Sequence, residues 1–466
     1  MKTLKKVVTA IFATQTGMTI FALAVLAIFI MGPYISDYIQ YNVFNMNKTY
    51  YYSSFELAMS DVYNETIGDR ADLKSESSAA VKIDNQKTGP IVVLLEDVST
   101  AKSFSIYNVT INLNGHSISS TAKVLLNVYG SLTIDGSTEG SKIHVNQDAQ
   151  SDSRVAVIYE EADIKINGGT YICESYEKNV TCFEVFGWAE INDATIKAMS
   201  PGDAVGILSK RTSVVGISHC IVDAKSTLAN GSGIVALGIV SAESCDVTAT
   251  SEQQNAFAVY NSGVTTLKNS ALTSNAEARK NAEGKIYLYS VGVYNYGDEA
   301  WLELKNCEAR GSLTGVWTLG EMRVDGGRYE GCTFGGMIVK TTKDVWLQNA
   351  KIVQTKANVE EYVGKTAICI TENVNCYIDN CTLDGYICGI LVCEENIQDC
   401  KVYISNSRIE NNGLIQLWES SNQLYYGKGN EFGTDRLQIP ENLINTDEIY
   451  AREIVIKNRE KDNGPE

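Results

Sequence analysis

A six-residue pattern recurs ten times between Ile166 and Ile409, and it leaves few folds open to the chain. The copies are INGGTY from Ile166, INDATI from Ile191, ISHCIV from Ile217, AESCDV from Ala242 and LKNSAL from Leu267. They continue with LKNCEA from Leu304, VDGGRY from Val324, LQNAKI from Leu347, IDNCTL from Ile378 and ISNSRI from Ile404. Their starts lie 25, 26, 25, 25, 37, 20, 23, 31 and 26 residues apart. Intervals this even mark one repeating unit, and the uneven ones fit loops inserted at a corner of it. The third place is filled by Gly168, Asp193, Asn269, Asn306, Gly326, Asn349, Asn380 and Asn406, types that tolerate a left-handed backbone, and by His219 where asparagine is usual. The fourth place (Gly169, Ala194, Cys220, Cys245, Ser270, Cys307, Gly327, Ala350, Cys381, Ser407) is always small, as an inward position in a narrow core requires. Gly187, Gly238, Gly263 and Gly320 mark a second corner four residues upstream. Two or three short strands per unit, joined at such corners, describe a parallel β-solenoid whose coils stack about 4.8 Å apart.

Composition agrees. Only 5 Pro accompany 37 Gly and 25 Tyr, a balance that favours strands and tight turns over helices. The formal charge of −17 excludes nucleic acid as a partner, because its phosphates would be repelled. The exception to the acidic balance is the start, where Lys2, Lys5 and Lys6 precede an uncharged stretch that runs to Asp37 and contains MTIFALAVLAIFIM at Met18–Met31. That stretch is long enough to span a bilayer, with the basic side cytoplasmic and the rest outside. It predicts a short basic cytoplasmic segment (1–17) and a signal-anchor or transmembrane helix (18–36), with secretion the outcome if the segment is cleaved. A polar stalk and N-terminal cap (37–90) follow, with a helix over Ser54–Tyr63 capped by Ser54. The β-helix occupies 91–437, and a polar C-terminal cap or tail occupies 438–466.

The opening of the repeat region, SSFELAMSDV, then GPIVVLLEDVS, then VTINLNGHSIS, resembles the start of β-helix domains in prokaryotic cell-surface proteins. The body resembles the pectate-lyase-like superfamily. The resemblance implies an all-β, single-stranded right-handed parallel β-helix of about a dozen coils. It places the protein at the cell surface and leaves its chemistry open, because this fold carries enzymes, adhesins and binding proteins alike.

The motifs of the superfamily's enzymes are missing. There is no Asp-Asp pair and no Gly-His-Gly, and Asn114-Gly115-His116 falls in the first coil. No acidic cluster of matching phase stands near a basic residue, so Ca²⁺ would enter only under a lyase reading; no other cofactor and no metal is expected. Arg328 and Glu330 near Asp325 come closest, and read as a solvated corner. Counting seven residues back from each hexapeptide instead gives an outward row: Tyr159, Glu184, Lys210, Val235, Tyr260, Trp317, Lys340 and Thr371. Tyr294 joins if the long fifth interval is an insertion, and Tyr129 begins the row. Its aromatic members make a platform on which sugar rings stack, although such ladders also stabilise solenoids. The twin stretches VYNSGVTTLKNSAL at Val259 and VYNYGDEAWLELKNCEA at Val293 then share scaffold in their second halves, with Tyr260 and Tyr294 as the distinctive part.

Of the 12 cysteines, Cys220, Cys245, Cys307 and Cys381 share the small inward place and pack as small apolar residues, Cys220 and Cys245 close enough in adjacent coils to allow a disulfide. No C-x-x-C occurs and the three histidines are scattered, which argues against a zinc site. The leading function is therefore binding of an extracellular polysaccharide, or of a surface glycan or protein, with the membrane engaged only through the N-terminal helix. A polysaccharide lyase or glycoside hydrolase and a structural spacer are the alternatives.

Overall fold

Alternation of apolar and polar residues over five or six positions makes each segment a half-buried strand, and the corners between segments set the coil. The computed structural model describes residues 48–432, less Lys74, Lys87, Thr333, Ile387, Gln398 and the segments 148–151, 277–288, 355–365, 393–396, 411–413, 418–422 and 427–429. One coil runs through Val180–Val185, Trp188–Asn192 and Thr195–Ser200, and the next through Ala204–Ser209, Val214–Ser218 and Ile221–Ser226. Each strand pairs in parallel with its equivalents one coil before and after. The three positions become three faces, here called first, second and third in chain order, around one apolar core. In an early coil the strand Val124–Gly136 runs unbroken from the first face into the second. The fold is a parallel β-helix, as the repeat implied.

The hexapeptide is the corner between the second and third faces. Its first residues form one continuous ladder from Ile166 to Ile404 without a slip in register. All ten third-place residues, His219 and Ser244 included, are left-handed, with φ between 47° and 76°. The fourth-place side chains are buried, and they do more than fill space. Cys220, Cys245, Cys307 and Cys381 donate their thiols to the carbonyl two residues back (3.2, 3.3, 3.4 and 3.3 Å), as Ser270 and Ser407 do with hydroxyls at 2.7 Å. Burial pushes the Cys381 thiol up to about 12, which keeps its proton in place as a donor. Cys220 and Cys245, whose spacing would allow a disulfide, are free thiols.

A cap covers the first coil. Lys48–Tyr52, Val81–Gln86 and Gly89–Leu94 form an antiparallel ribbon, and the last of these starts the parallel stack against Phe104–Asn112. The helix spans Phe55–Tyr63; Ser54 Oγ accepts from Leu57 N–H at 3.3 Å, and Phe55, Ala58 and Met59 are buried. Phe55 meets Phe104 edge-on with centroids 5.1 Å apart, seating the helix on the coil. The loop after the helix wraps the buried Asp61, which accepts from Tyr52 Oη (2.9 Å) and from the N–H groups of Gly68 and Arg70 (3.2 and 2.9 Å). The expected segments 1–17, 18–36 and 438–466 lie outside the described residues; among those described, no helix is long and apolar enough to cross a membrane.

Glycine is needed at the corner between the first and second faces for lack of room. A Cβ on Gly187 would lie 2.2 Å from the carbonyl oxygen of Ala162, and one on Gly238 2.3 Å from that of Lys210. On Gly216, in a second-face strand, the nearest atom would be 4.0 Å away. Gly187→Ala is expected to cost about 1–3 kcal/mol, the usual range for overpacking. Gly216→Ala should leave the denaturant midpoint nearly unchanged, which makes the pair a test of the packing claim.

Candidate functional site

The first face presents two outward rows, and the residues counted back from the hexapeptide divide between them. Glu184, Val235, Tyr260, Tyr294 and Trp317 are in register along one row, which comes from Ser105 and Asn127 through Val157 and passes through Leu208 and Ile338. Tyr159, Lys210, Lys340 and Thr371 stand in a second row, two residues further along the chain at the corner itself. Their backbone N–H groups donate to Val128, Val185, Thr318 and Val339, the carbonyls one coil back. The single expected row is thus corrected to two. The reason is corner length: seven residues separate Glu184 from Ile191 across the glycine corner, whereas nine separate Leu208 from Ile217 because Arg211–Ser213 replace one glycine. Counting back by a constant step crosses from one row to the other.

The corner row carries a ladder of stacked rings. Tyr107, Tyr129, Tyr159 and Phe186 succeed one another at centroid distances of 5.7, 4.4 and 6.4 Å, with interplanar angles of 25°, 9° and 9°. Tyr63 of the cap helix extends it, 6.1 Å from Tyr107. The rings are not sealed, since Tyr107 is 55% and Tyr129 43% exposed. Across the corner, Trp188 (62% exposed), Ile239 and Val264 open successive second-face strands, in register with Val214 and Trp301. Tyr296, 45% exposed, continues the corner row. One edge of the prism therefore bears most of the large apolar side chains exposed among the described residues.

At mid-edge the ladder ends in charge. Lys210 Nζ lies over the Phe186 ring, 5.4 Å from its centroid, and 3.0 Å from Glu184 Oε1; Arg154 Nε donates to Glu184 Oε2 at 2.5 Å. Burial alone would raise the Glu184 carboxyl, but the hydrogen bond from Lys210 and the charges of Arg154 and Lys210 outweigh it and hold the group below the usual carboxylate range. An ionised carboxylate held by two cations is not poised to donate a proton. Lys340 stands exposed at the far end of the corner row.

Tyr260, Tyr294 and Trp317 occupy three successive coils, as their spacing implied. Tyr294 packs against Tyr260 at 5.6 Å, Trp317 at 5.3 Å and Phe257 at 5.4 Å. Burial, reinforced by neighbouring tyrosines, pushes Tyr294 up to about 12. The asparagine of each Val-Tyr-Asn points inward: Asn261 Nδ2 donates to Asn295 Oδ1 (2.7 Å), and Asn295 Nδ2 to Thr318 Oγ1 (2.9 Å). The shared words of the twin stretches are thus one outward ring and one buried amide per coil.

A second ring ladder lies on the second face, outside the row read from sequence. Trp346, Tyr377 and Tyr403 stack at 5.8 and 4.8 Å, with the Arg323 guanidinium 4.5 Å over Trp346. Each ring immediately precedes a hexapeptide, a signal that inspection of that position would have found. Glu330, expected at a solvated corner, is instead buried on a third-face strand. Among the described residues no group of three or more His, Cys, Asp or Glu is placed to hold a metal ion.

No protein-family model and no curated protein matches the sequence. Among solved structures, the A-module of the mannuronan C-5 epimerase AlgE6 from Azotobacter vinelandii is similar at 11% identity, over 73% of this chain and 89% of that one, with a TM-score of 0.34. ORF18 of Geobacillus virus E2 is similar at 10% identity, over 75% of this chain and 55% of that one, with a TM-score of 0.23.

Because the Glu184 carboxyl is depressed in the folded state, its contribution to stability is full above the unfolded-state value and is lost as pH falls through the folded one. Glu184→Gln should therefore lower the melting temperature at neutral pH. The gap to the native protein should close as the pH is taken below the carboxylate range; a gap independent of pH would mean that the ion pairs contribute nothing.

Proposed function

We propose that the protein binds a neutral polysaccharide along the edge between the first and second faces, holding the chain parallel to the β-helix axis. One observation carries this reading: the ladder Tyr107–Tyr129–Tyr159–Phe186 is continuous, near-parallel and open to solvent. Stacked face to face, the rings turn their edges and phenolic hydroxyls outward, and a row of such edges at coil spacing suits a polymer better than a single small ligand. A neutral polymer is favoured because the cations at mid-edge are taken up by Glu184, while Glu160, Glu161, Asp298 and Glu299 are exposed in the corner loops. An anionic chain would meet repulsion there, in a protein of net charge −17.

Binding without cleavage is the form we favour. Glycoside hydrolysis calls on two carboxyl groups facing each other across the bond. Of the carboxylates at the edge, Glu184, in the outward row, is ion-paired, and Glu160, Glu161, Asp298 and Glu299 stand in exposed corner loops. Anchoring through segment 18–36, with the β-helix exported, belongs to the same proposal and follows from the charge and hydropathy of the N-terminus.

The test is a glycan array together with co-sedimentation on insoluble polysaccharides. The double variant Tyr107→Ala/Tyr129→Ala is expected to weaken binding of the best neutral glycan by about tenfold, and raised salt to leave it unchanged. Undiminished binding by that variant would sink the reading of the edge. Release of new reducing or unsaturated ends from the polymer would establish the enzyme alternative in its place.

A further inference from the structure

The ring ladder of the corner row stops at Phe186. In the next three coils that row carries Lys210, Leu237 and Ser262, and the first face beside it carries Glu184 with its two cations. A polymer lying along Tyr107, Tyr129 and Tyr159 would meet charge at mid-edge if it ran straight on. Apolar surface continues across the corner instead. Gly187 alone separates Phe186 from Trp188, and a Cβ there would lie 2.5 Å from the carbonyl oxygen of Tyr159, so the turn stays tight.

From Trp188 an apolar row follows the axis on the second face. Val214, Ile239, Val264 and Trp301 stand in register with it on four successive coils. Trp188, Ile239 and Val264 are exposed, and Val214 and Trp301 partly so. The neighbouring outward row is low: between Glu190 and Glu303 it holds Gly216, Ser241 and Thr266. The carboxylates that close this shoulder are matched, Glu190 by Lys165 Nζ at 3.1 Å and Asn192 Nδ2 at 2.9 Å, Glu303 by Lys305 Nζ at 2.7 Å.

The shape selects the occupant. The apolar row is one side chain wide, and its five partly exposed side chains fall well short of the roughly 800 Å² per partner that a stable protein interface buries. A second copy, at net charge −17, would also be repelled. A thin, uncharged polymer fits, with its apolar surface on the row and its hydroxyl groups over Ser241 and Thr266.

We propose that a neutral polysaccharide crosses the corner at Phe186-Gly187-Trp188 and runs on along the second face to Trp301, so that one chain is held by both rows. This deepens the edge reading of the function and rests on it. The track takes three coil steps from Tyr107 to Phe186 and four from Trp188 to Trp301, about 34 Å against about 14 Å for the ring ladder alone. An extended glycan advances by roughly one coil spacing per sugar, so the track holds about eight sugars and the ladder alone about four. The protein therefore selects long chains.

The experiment is calorimetric titration of the full-length protein with neutral cello-, manno- and laminari-oligosaccharides graded from disaccharide to nonasaccharide. In a series that binds, the dissociation constant is expected to keep falling beyond the tetrasaccharide and to level off near the octasaccharide. Trp188→Ala should weaken the octasaccharide by about tenfold, towards the affinity of the tetrasaccharide. Ile239→Lys, which cuts the row at its middle, should weaken it by a similar factor; both positions are exposed, so the melting temperature should hold. Ile221→Lys, at an exposed apolar position on the third face, is the control and should change nothing. A native affinity that levels off at the tetrasaccharide overturns the track and leaves the edge reading standing. An octasaccharide affinity untouched by Trp188→Ala does the same. Absence of binding at every length in all three series overturns both.

Discussion

One left-handed residue per coil governs this molecule. At the corner between the second and third faces the backbone turns through a conformation that costs most side chains about 1–2 kcal/mol, and eight of the ten coils meet it with glycine, asparagine or aspartate, which tolerate it best. The turn is held by what surrounds it. The next residue is small and buried, and where it is cysteine or serine its proton goes to the carbonyl two residues back. The third-place side chains also bond along the axis, as Asn380 Nδ2 does to Asn349 Oδ1 at 2.7 Å. Fixing this corner fixes the phase of every strand that follows, and hence the inward and outward alternation of the whole stack.

The other corner decides the surface. Where a single glycine makes the turn, as in Phe186-Gly187-Trp188 and Leu237-Gly238-Ile239, apolar side chains emerge close together on either side of the edge. Where residues are inserted, as at Arg211–Ser213, the edge becomes polar and charged. The aromatic ladder and the Arg154–Glu184–Lys210 cluster are thus products of corner geometry as much as of strand composition. Tyr129 and Phe186 stand at glycine corners and Tyr159 at a longer one, so the spacing of the rings follows the coil repeat itself.

Much of this was legible in the residues. The hexapeptide located the left-handed corner and the inward small residue in all ten coils, even where His219 and Ser244 replace the usual types. Tyr260, Tyr294 and Trp317 are legible as one row because their corners descend to the hexapeptide by equal or recognisably enlarged steps. Tyr159, Lys210, Lys340 and Thr371 fall in the other row because their longer corners look, at constant spacing, like the same phase. The donor role of the thiols was not visible, since cysteine in a narrow core reads as a small apolar residue until its sulfur is seen against a carbonyl. The seating of the cap helix could not be read from sequence either. The helix folds back to set Glu56 over Thr100, some forty residues distant, a tertiary event that no local pattern encodes.

A solenoid is in principle indifferent to how many coils it has, since each repeat answers only to its neighbours. The buried line from Asn261 through Asn295 to Thr318 removes that freedom locally. Each amide gives its hydrogen to the next coil, and the line ends on Thr318, whose hydroxyl turns to the Gly320 carbonyl at 2.8 Å. Deleting the coil of Thr318 would set the Asn295 amide against Val339 and leave one buried N–H without its side-chain acceptor. Elsewhere the stack could gain or lose a repeat at little cost in packing. These three coils form an ordered phrase, read in one direction only: the long fifth interval falls inside it, yet the amide line runs on unbroken from Asn261 to Asn295.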